Sequence, residues 1–346
     1  MNTVPPRRRH RVLPVLLASA VLLSGCAATA APAAPSSSDA AAAPAAATDF
    51  VTPRTMPEGK GSGLADGVFP RTVVHFEGET TVPAAPQRIV VISTGQADAL
   101  LTLGLVPVGS TAGEGAAAVP DYLVDSFPDD AAALAAVTEV GNRTEPDLET
   151  IATLDPDLIL MNIAGKDAEL LYSGLSAIAP TVAMQGTGLY WKQDFLLLGD
   201  AVGRVDQATA WLDDFQADAA QFGAGGTGDP TVSLLRSAGD RTRVFGVASF
   251  SGSVAEDAGL ARPEAQEFED TSLDISAEQL DLADGDWLFY AVQGGDESVL
   301  TDAPLWPTLT AVTGDTAVPV DDDMFFLNVG PTAARGILAT LESTLG

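Results

Sequence analysis

The sequence predicts an α/β protein of two similar parallel-sheet lobes joined by a single long interdomain helix, with a ligand cleft between the lobes. Three observations predict it. Short β-branched runs alternate with amphipathic stretches on both sides of the midpoint, the pattern of parallel sheets. One long helical stretch separates the two sets. The halves also repeat short motifs at equal offsets.

Residues 88–93 (RIVVIS) read as a buried strand, and the polar turn Thr94-Gly95 leads into a helix over 96–103 that Gly104 stops. A second strand falls at 107–111, a short helix at 147–154 after Pro146, a strand at 157–162, a helix at 167–178 and a strand at 181–184. From Trp191 to Phe222 the apolar residues Phe195, Leu198, Val202, Trp211, Leu212 and Phe215 recur at helical spacing, with a kink at Gly203. Alternation then resumes, with strands at 231–236, 243–247, 286–292 and 317–320. Helices follow at 251–258, 277–282, 305–312 and 331–345, the last opened by Gly330-Pro331.

Two internal echoes tie the halves together. Glu149, Ile151, Asp155, Asp157 and Ile159 match Glu278, Leu280, Asp284, Asp286 and Leu288 at equal offsets. Thr94-Gly95 with Gly104-Leu105 match Ser249-Phe250 with Gly259-Leu260.

The N-terminus carries a different signal. Arg7, Arg8, Arg9 and Arg11 precede an apolar run over 12–23, too short to span a bilayer as a helix, and Leu23-Ser24-Gly25-Cys26 follows. This resembles a bacterial lipoprotein signal over 1–25, which implies that Cys26 is diacylated at the mature N-terminus and that the protein sits lipid-anchored on the extracytoplasmic face of the cell membrane. Cys26 is the only cysteine, so no intramolecular disulfide is possible. Residues 26–69 are rich in Ala, Pro, Ser and Gly and read as a disordered tether. The expected lobes then span 70–188 and 229–346, with the connecting helix over 189–222.

Charge and motifs narrow the function. The chain carries 17 basic against 47 acidic residues, a net charge of −30. Such a surface excludes nucleic acid as a partner and leaves the lipid as the only expected membrane contact. A monomer is expected. Gly223, Gly225 and Gly228 have the spacing of a dinucleotide fingerprint, but they follow a helix and precede a strand, the wrong context. One histidine, His75, remains beyond the leader, and no Gly-x-Ser-x-Gly elbow occurs. No metal site and no catalytic set assembles, so binding is favoured over a lipid-anchored hydrolase. Asp321-Asp322-Asp323 lacks the rest of a calcium loop and reads as a solvated acidic turn.

Several segments together resemble a known family. His75-Phe-Glu-Gly78 through Pro86-Gln-Arg88-Ile-Val-Val, Leu103-Gly104-Leu105-Val-Pro107, and Pro146-Asp-Leu148-Glu149-Thr-Ile151 are similar to periplasmic siderophore- and cobalamin-binding proteins. So are Phe250-Ser-Gly252 through Gly259-Leu-Ala-Arg262-Pro263, Ile275-Ser276-Ala-Glu278-Gln279-Leu280 and Pro304-Leu-Trp306. The resemblance covers roughly residues 72–345 in order. It implies a substrate-binding protein of an ABC importer, two lobes that move little, and a ligand between them. That ligand is expected to be an Fe(III)-siderophore, with haem and cobalamin as rivals, and no cofactor is expected. The resemblance also implies that Glu149 and Glu278, one per lobe, dock onto arginines of the permease. Ser276 and Gln279 have capping-box spacing, which leaves Glu278 free.

Ligands of open α/β sheets sit beyond the carboxyl ends of strands. That rule selects Thr94, Arg143, Arg236 and Ser251, together with the turn before Trp191. Arginine offers a planar fork suited to chelating oxygens. Tyr190, Trp191, Phe250, Phe325 and Phe326 are the candidate aromatic walls, with core packing as the competing reading. For Arg143 and Arg236 the competing reading is a surface ion pair. Trp306 is assigned to packing.

Overall fold

The computed structural model describes residues 52–113, 116–225 and 230–346. The leader signal and Cys26 lie outside the described residues. An antiparallel hairpin, β1 (Arg71–His75) and β2 (Gly78–Val82), precedes the first lobe. That lobe runs β3 (Ile89–Val91), α1 (Gln96–Thr102), β4 (Gly109–Ala112), α2 (Asp121–Ser126), α3 (Ala131–Leu134) and β5 (Thr138–Asn142). It continues with α4 (Leu148–Thr153), β6 (Leu158–Asn162), α5 (Ala168–Ser176) and β7 (Thr181–Met184). Its sheet has the order β5-β4-β3-β6-β7 and is parallel throughout. Every strand is separated from the next by at least one helix, as parallel pairing requires.

The connection is α6 (Trp191–Ala201) followed by α7 (Val205–Ala224). The single helix expected over 189–222 is thus two. Gly203 adopts φ 74°, and the chain re-enters a helix at Val205. A Cβ there would fall 2.8 Å from the Phe69 ring, so only glycine fits the break. α6 is buried along most of its length, while α7 buries one stripe, Ala208, Leu212, Phe215 and Ala219, at spacings of four, three and four.

The second lobe runs β8 (Val232–Ala238), β9 (Arg241–Phe245), α8 (Phe250–Asp257), β10 (Ser272–Ile275), β11 (Trp287–Val292), α9 (Ser298–Thr301), α10 (Thr310–Thr313), β12 (Ala317–Pro319) and α11 (Pro331–Leu345). Its strand order, β10-β9-β8-β11-β12, repeats that of the first lobe: in each, the first strand is central and the third is an edge. The internal echoes therefore correspond to a shared topology. One feature differs. β8 and β9 are joined by the two-residue turn Gly239-Asp240, with Gly239 at φ 59°, so β9 runs antiparallel to both neighbours and this sheet is mixed.

One apolar cluster runs continuously through both lobes, from Val91 and Leu100 through Trp191, Phe195 and Phe215 to Phe250, Phe325 and Leu338. At its edge the lobes are locked by Asp98 on α1, which is fully buried. Its carboxylate accepts from the Thr332 and Ala333 amides at the start of α11, at 2.7 and 2.9 Å, and from the Tyr122 hydroxyl at 2.9 Å. A Cβ on Gly330 would lie 2.3 Å from Asp98 Cγ, so the close approach requires glycine.

The tether expected over 26–69 is corrected in its second part: residues 52–69 lie on the folded body. The Thr52 hydroxyl donates to Glu256 Oε2 at 2.8 Å and accepts from Lys192 Nζ, and Lys192, fully buried, pairs with Asp257 at 2.5 Å. Ser62 N and Oγ both donate to Asp200, each at 2.7 Å. Composition counted only large apolar residues, whereas this segment is held by polar bonds to buried charges.

The lobe lock sets an expectation. Asp98→Ala leaves two backbone amides and a tyrosine hydroxyl buried without an acceptor, which costs about 2–4 kcal/mol. Denaturant unfolding is expected to show this loss through a lower midpoint, and Asp98→Asn, which keeps one oxygen and removes the buried charge, is expected to lose less. A midpoint for Asp98→Ala equal to that of the parent protein would contradict the lock.

Candidate functional site

The first lobe brings the carboxyl ends of its strands together at the interlobe seam. Thr94 follows β3, Asn162 ends β6 and Gly186 follows β7. With Trp191, Asp194 and Val329 they line a cavity of about 30 Å³. Gly95, at φ 86°, packs so closely against Val329 that a Cβ would lie 2.7 Å from its carbonyl oxygen. Asp194 accepts from the Gln185 and Gly186 amides at 2.9 and 2.7 Å, and burial pushes its pKa up to about 7. A second cavity, about 70 Å³, adjoins it through Asn162 and is lined by Arg143 and Ser93. Arg143 is exposed, and its Nη1 donates to the Ala164 carbonyl at 2.8 Å.

In the second lobe, β8 and β9 pair in register at Arg236 and Arg243, so two guanidinium groups share one sheet face. Arg236 is buried and held bidentately by Asp322, with Nε and Nη2 donating at 2.5 and 2.8 Å. Arg243 lies over the Phe245 ring at 5.4 Å, and Phe245 packs on Phe326 at 4.9 Å. Burial, then the neighbouring Arg236, lowers the pKa of Arg243, and its buried Nε has no hydrogen-bond partner. Asp323 is pushed up to about 6, first by burial and then by Asp321 and Asp322. The triple aspartate expected as a solvated turn is therefore in part a counter-ion for the arginines.

Thr94 and Trp191 share the first cavity, and Tyr190 stands half-buried beside it. Trp191, expected as a wall, is instead 2% exposed. Its indole N–H donates to Ser253 Oγ at 3.0 Å, and its ring meets Trp211, Phe215 and Phe250 edge-on. Phe250 is buried in the same cluster, Ser251 is buried with an unpartnered hydroxyl, and Phe325 is buried against Phe289. Phe250, Ser251 and Phe325 are placed by core packing, and Trp191 is packed in the same core while also lining the first cavity. The carboxyl-end rule misjudged Ser251 because β9 is reversed: its carboxyl end lies at the opposite end of the sheet from that of β8. Arg236 is ion-paired, and its partner Asp322 comes from the loop after β12. Trp306 is buried against Tyr290 as expected.

Arg243 and Phe326 offer partly exposed surface. Phe326 was among the candidate walls, whereas Arg243 was overlooked. The signal for Arg243 was the Gly239-Asp240 turn, which sets Arg243 opposite Arg236. Glu149 and Glu278 are both exposed, in the first turn of α4 and of the 3-10 helix Ala277–Ala283. Those helices follow β5 and β10, the equivalent edge strands. Asp147 caps α4 through the Glu149 and Thr150 amides, and the Ser276–Gln279 capping box forms. His75 is buried. Its Nε2 bonds Thr80 Oγ1 at 2.9 Å, Nδ1 accepts from the Glu77 amide at 3.2 Å, and burial lowers its pKa to about 4. Both ring nitrogens are therefore occupied. Among the described residues no group of three or more His, Cys, Asp or Glu side chains is arranged to hold a metal.

The chain is similar to known proteins in sequence and in fold. Residues 89–316 match a family model described as periplasmic binding protein. The probable siderophore-binding lipoprotein YfiY of Bacillus subtilis is 32% identical over 291 residues, covering 79% of this chain and 87% of the relative. The Fe(3+) dicitrate-binding periplasmic protein FecB of Escherichia coli is 28% identical, over 78% of this chain and 89% of its own length. In fold, the chain is similar to Staphylococcus aureus SirA complexed with staphyloferrin B. The TM-score is 0.66 at 24% identity, over 79% of this chain and 98% of that one. With the family model matching well over half of its length, this chain belongs to the periplasmic binding protein family.

Proposed function

We propose that the protein binds a ferric siderophore between its lobes and delivers it to the permease of an ABC importer, held to the outer face of the membrane by lipid on Cys26. The observation that carries the ligand assignment is the arginine arrangement. In a chain of net charge −30, Arg143 lines a first-lobe cavity, and Arg236 and Arg243 lie side by side on one sheet face of the second lobe. Placing two like charges side by side is unfavourable unless an anion answers them. Asp322 pairs with Arg236, Asp274 and Asp322 partly offset Arg243, and a chelate's oxygens would complete the match at the unpartnered Arg243 Nε. Tyr190, Thr94 and the half-buried Phe326 would complete the contact surface. The names of the relatives support the same ligand class. Of the rivals, haem is disfavoured by His75, whose ring is buried and fully bonded.

The continuous interlobe core supports a nearly rigid receptor, so recognition by the permease would rest on fixed surface groups. Glu149 and Glu278 suit that role. Each is exposed at an equivalent helix start of its lobe, where Asp147 caps one helix and the Ser276–Gln279 box caps the other.

Three measurements test this reading. Tryptophan fluorescence of the purified chain is titrated with a panel of ferric siderophores, haem and cobalamin. The best ligand is expected to be a ferric siderophore, and Arg143→Ala and Arg243→Ala are each expected to weaken it by about 1.5–3 kcal/mol, tenfold to a hundredfold. Parental affinity in both variants would remove the arginines from the site. Glu149→Arg combined with Glu278→Arg is expected to spare ligand affinity yet abolish uptake in cells, since rim charges govern docking rate and register. Undiminished transport by that double variant would remove the docking role. Finally, Cys26→Ala is expected to shift the protein from the membrane fraction to the soluble one, because stable anchoring needs the acyl chains. Persistent membrane association with unchanged mass would contradict it.

A further inference from the structure

The cavity beside Arg143 has its own chemistry. It brings together Ser93 just after β3, Arg143 after β5, Asn162 at the end of β6 and Lys166 just before α5, with Ala168 of the first helical turn. Ser93 is 3% exposed, and its hydroxyl has no hydrogen-bond partner. Buried hydroxyls are normally paired, so an orphan in a cavity wall marks a place for a ligand atom. Asn162 uses its side-chain oxygen to accept from the Ala164 amide at 3.1 Å, which leaves its NH₂ as a donor. α5 is nine residues long, and its N-cap Asp167 makes no side-chain bond to the first-turn amides, so these are open to an acceptor. Neither Lys166 nor Arg143 is ion-paired among the described residues, although the chain has 47 acidic side chains. The only acid in the lining is Asp167, exposed at its edge.

Donors thus converge from three strand ends and a helix start onto a space of about 70 Å³, large enough for a carboxylate and too small for a whole chelate. Lys166, Ser93 and the α5 amides lie beyond the contact already assigned to Arg143. We propose that this cavity is a subsite for a peripheral carboxylate of the ligand, which makes the cargo an anionic, carboxylate-bearing ferric chelate rather than a neutral trihydroxamate. This inference rests on the ferric-chelate reading above. A carboxylate offers two oxygens in one plane, matching the fork of Arg143 on one side and the helix amides on the other, with the Lys166 ammonium as a point charge at the opening.

The test uses the full chain purified in mild detergent and four probes: ferric citrate, iron-free citrate, inorganic phosphate, and a neutral ferric trihydroxamate. Binding is followed by calorimetry for the parent protein, Lys166→Glu and Ser93→Ala. The parent is expected to bind ferric citrate most tightly. Lys166→Glu is expected to weaken that binding about tenfold or more and Ser93→Ala by about threefold, with any trihydroxamate binding unchanged. Unchanged ferric citrate affinity in Lys166→Glu would overturn the subsite while leaving chelate binding intact. A parent protein that prefers the neutral trihydroxamate would do the same. Iron-free citrate or phosphate bound as tightly as ferric citrate would also overturn it, in favour of a free-anion site. Failure of the parent to bind any ferric chelate would instead remove the functional reading on which the inference stands. Circular dichroism melts of both variants confirm that any loss arises in a folded protein.

Discussion

The two lobes depend on one buried carboxylate. Asp98 belongs to the first helix of the first lobe, yet it terminates the last helix of the second. Oδ1 receives the Thr332 amide and the Thr102 hydroxyl, and Oδ2 receives the Ala333 amide and the Tyr122 hydroxyl. The negative charge also faces the positive end of a 15-residue helix. Burial pushes its pKa up, and the bonds from Thr332, Ala333 and Tyr122 pull it back down. Around it the apolar cluster passes unbroken from lobe to lobe, and Gly95 and Gly330 let the two backbones approach closely. A cleft built on such a seam is shaped in advance of any ligand.

A second constraint is electrostatic. The acidic surface suits solubility and leaves few cations, and several of those few are committed to structure. Arg71 and Arg262 are buried and bond backbone carbonyls, and Lys192 pairs with Asp257 beneath the N-terminal segment. Four of the others fall in two groups. Arg143 and Lys166 flank one cavity, while Arg236 and Arg243 are set side by side by the reversal of β9. That reversal costs the second lobe its all-parallel sheet. With that reversal Arg236 and Arg243 stand opposite one another on one sheet face.

Much of this was legible from the chain alone, and the reasons are local. Strand-forming runs at 88–93, 157–162 and 181–184 are short, β-branched and bounded by turns, and each forms where expected. The helix opened by Gly330-Pro331 spans Pro331–Leu345, because a proline at the first helical position and a clean apolar stripe leave little choice. The capping box at Ser276 and the break at Gly203 are likewise encoded within a few residues, and the internal echoes carried the shared strand order. Less legible were β5 and β10, edge strands with little apolar signal, and the hairpin β1–β2, whose partner strands are held by pairing rather than by pattern.

The sequence by itself determined the fold class, the two-lobe plan and the exposed glutamates, because each depends on neighbours along the chain. Tertiary structure alone decided which candidates face the cleft. Trp191, Phe250 and Phe325 are large and apolar enough to serve as either wall or core, and the convergence of α6, α7 and α8 placed the first two in the core. Phe325 was claimed by Phe289 on β11 of the second lobe. Arg236 met its counter-ion from a loop 86 residues away, and Arg243 became its neighbour only through strand register. Contacts between distant segments are set by how apolar faces stack and by which strand reverses, and no local spacing records either.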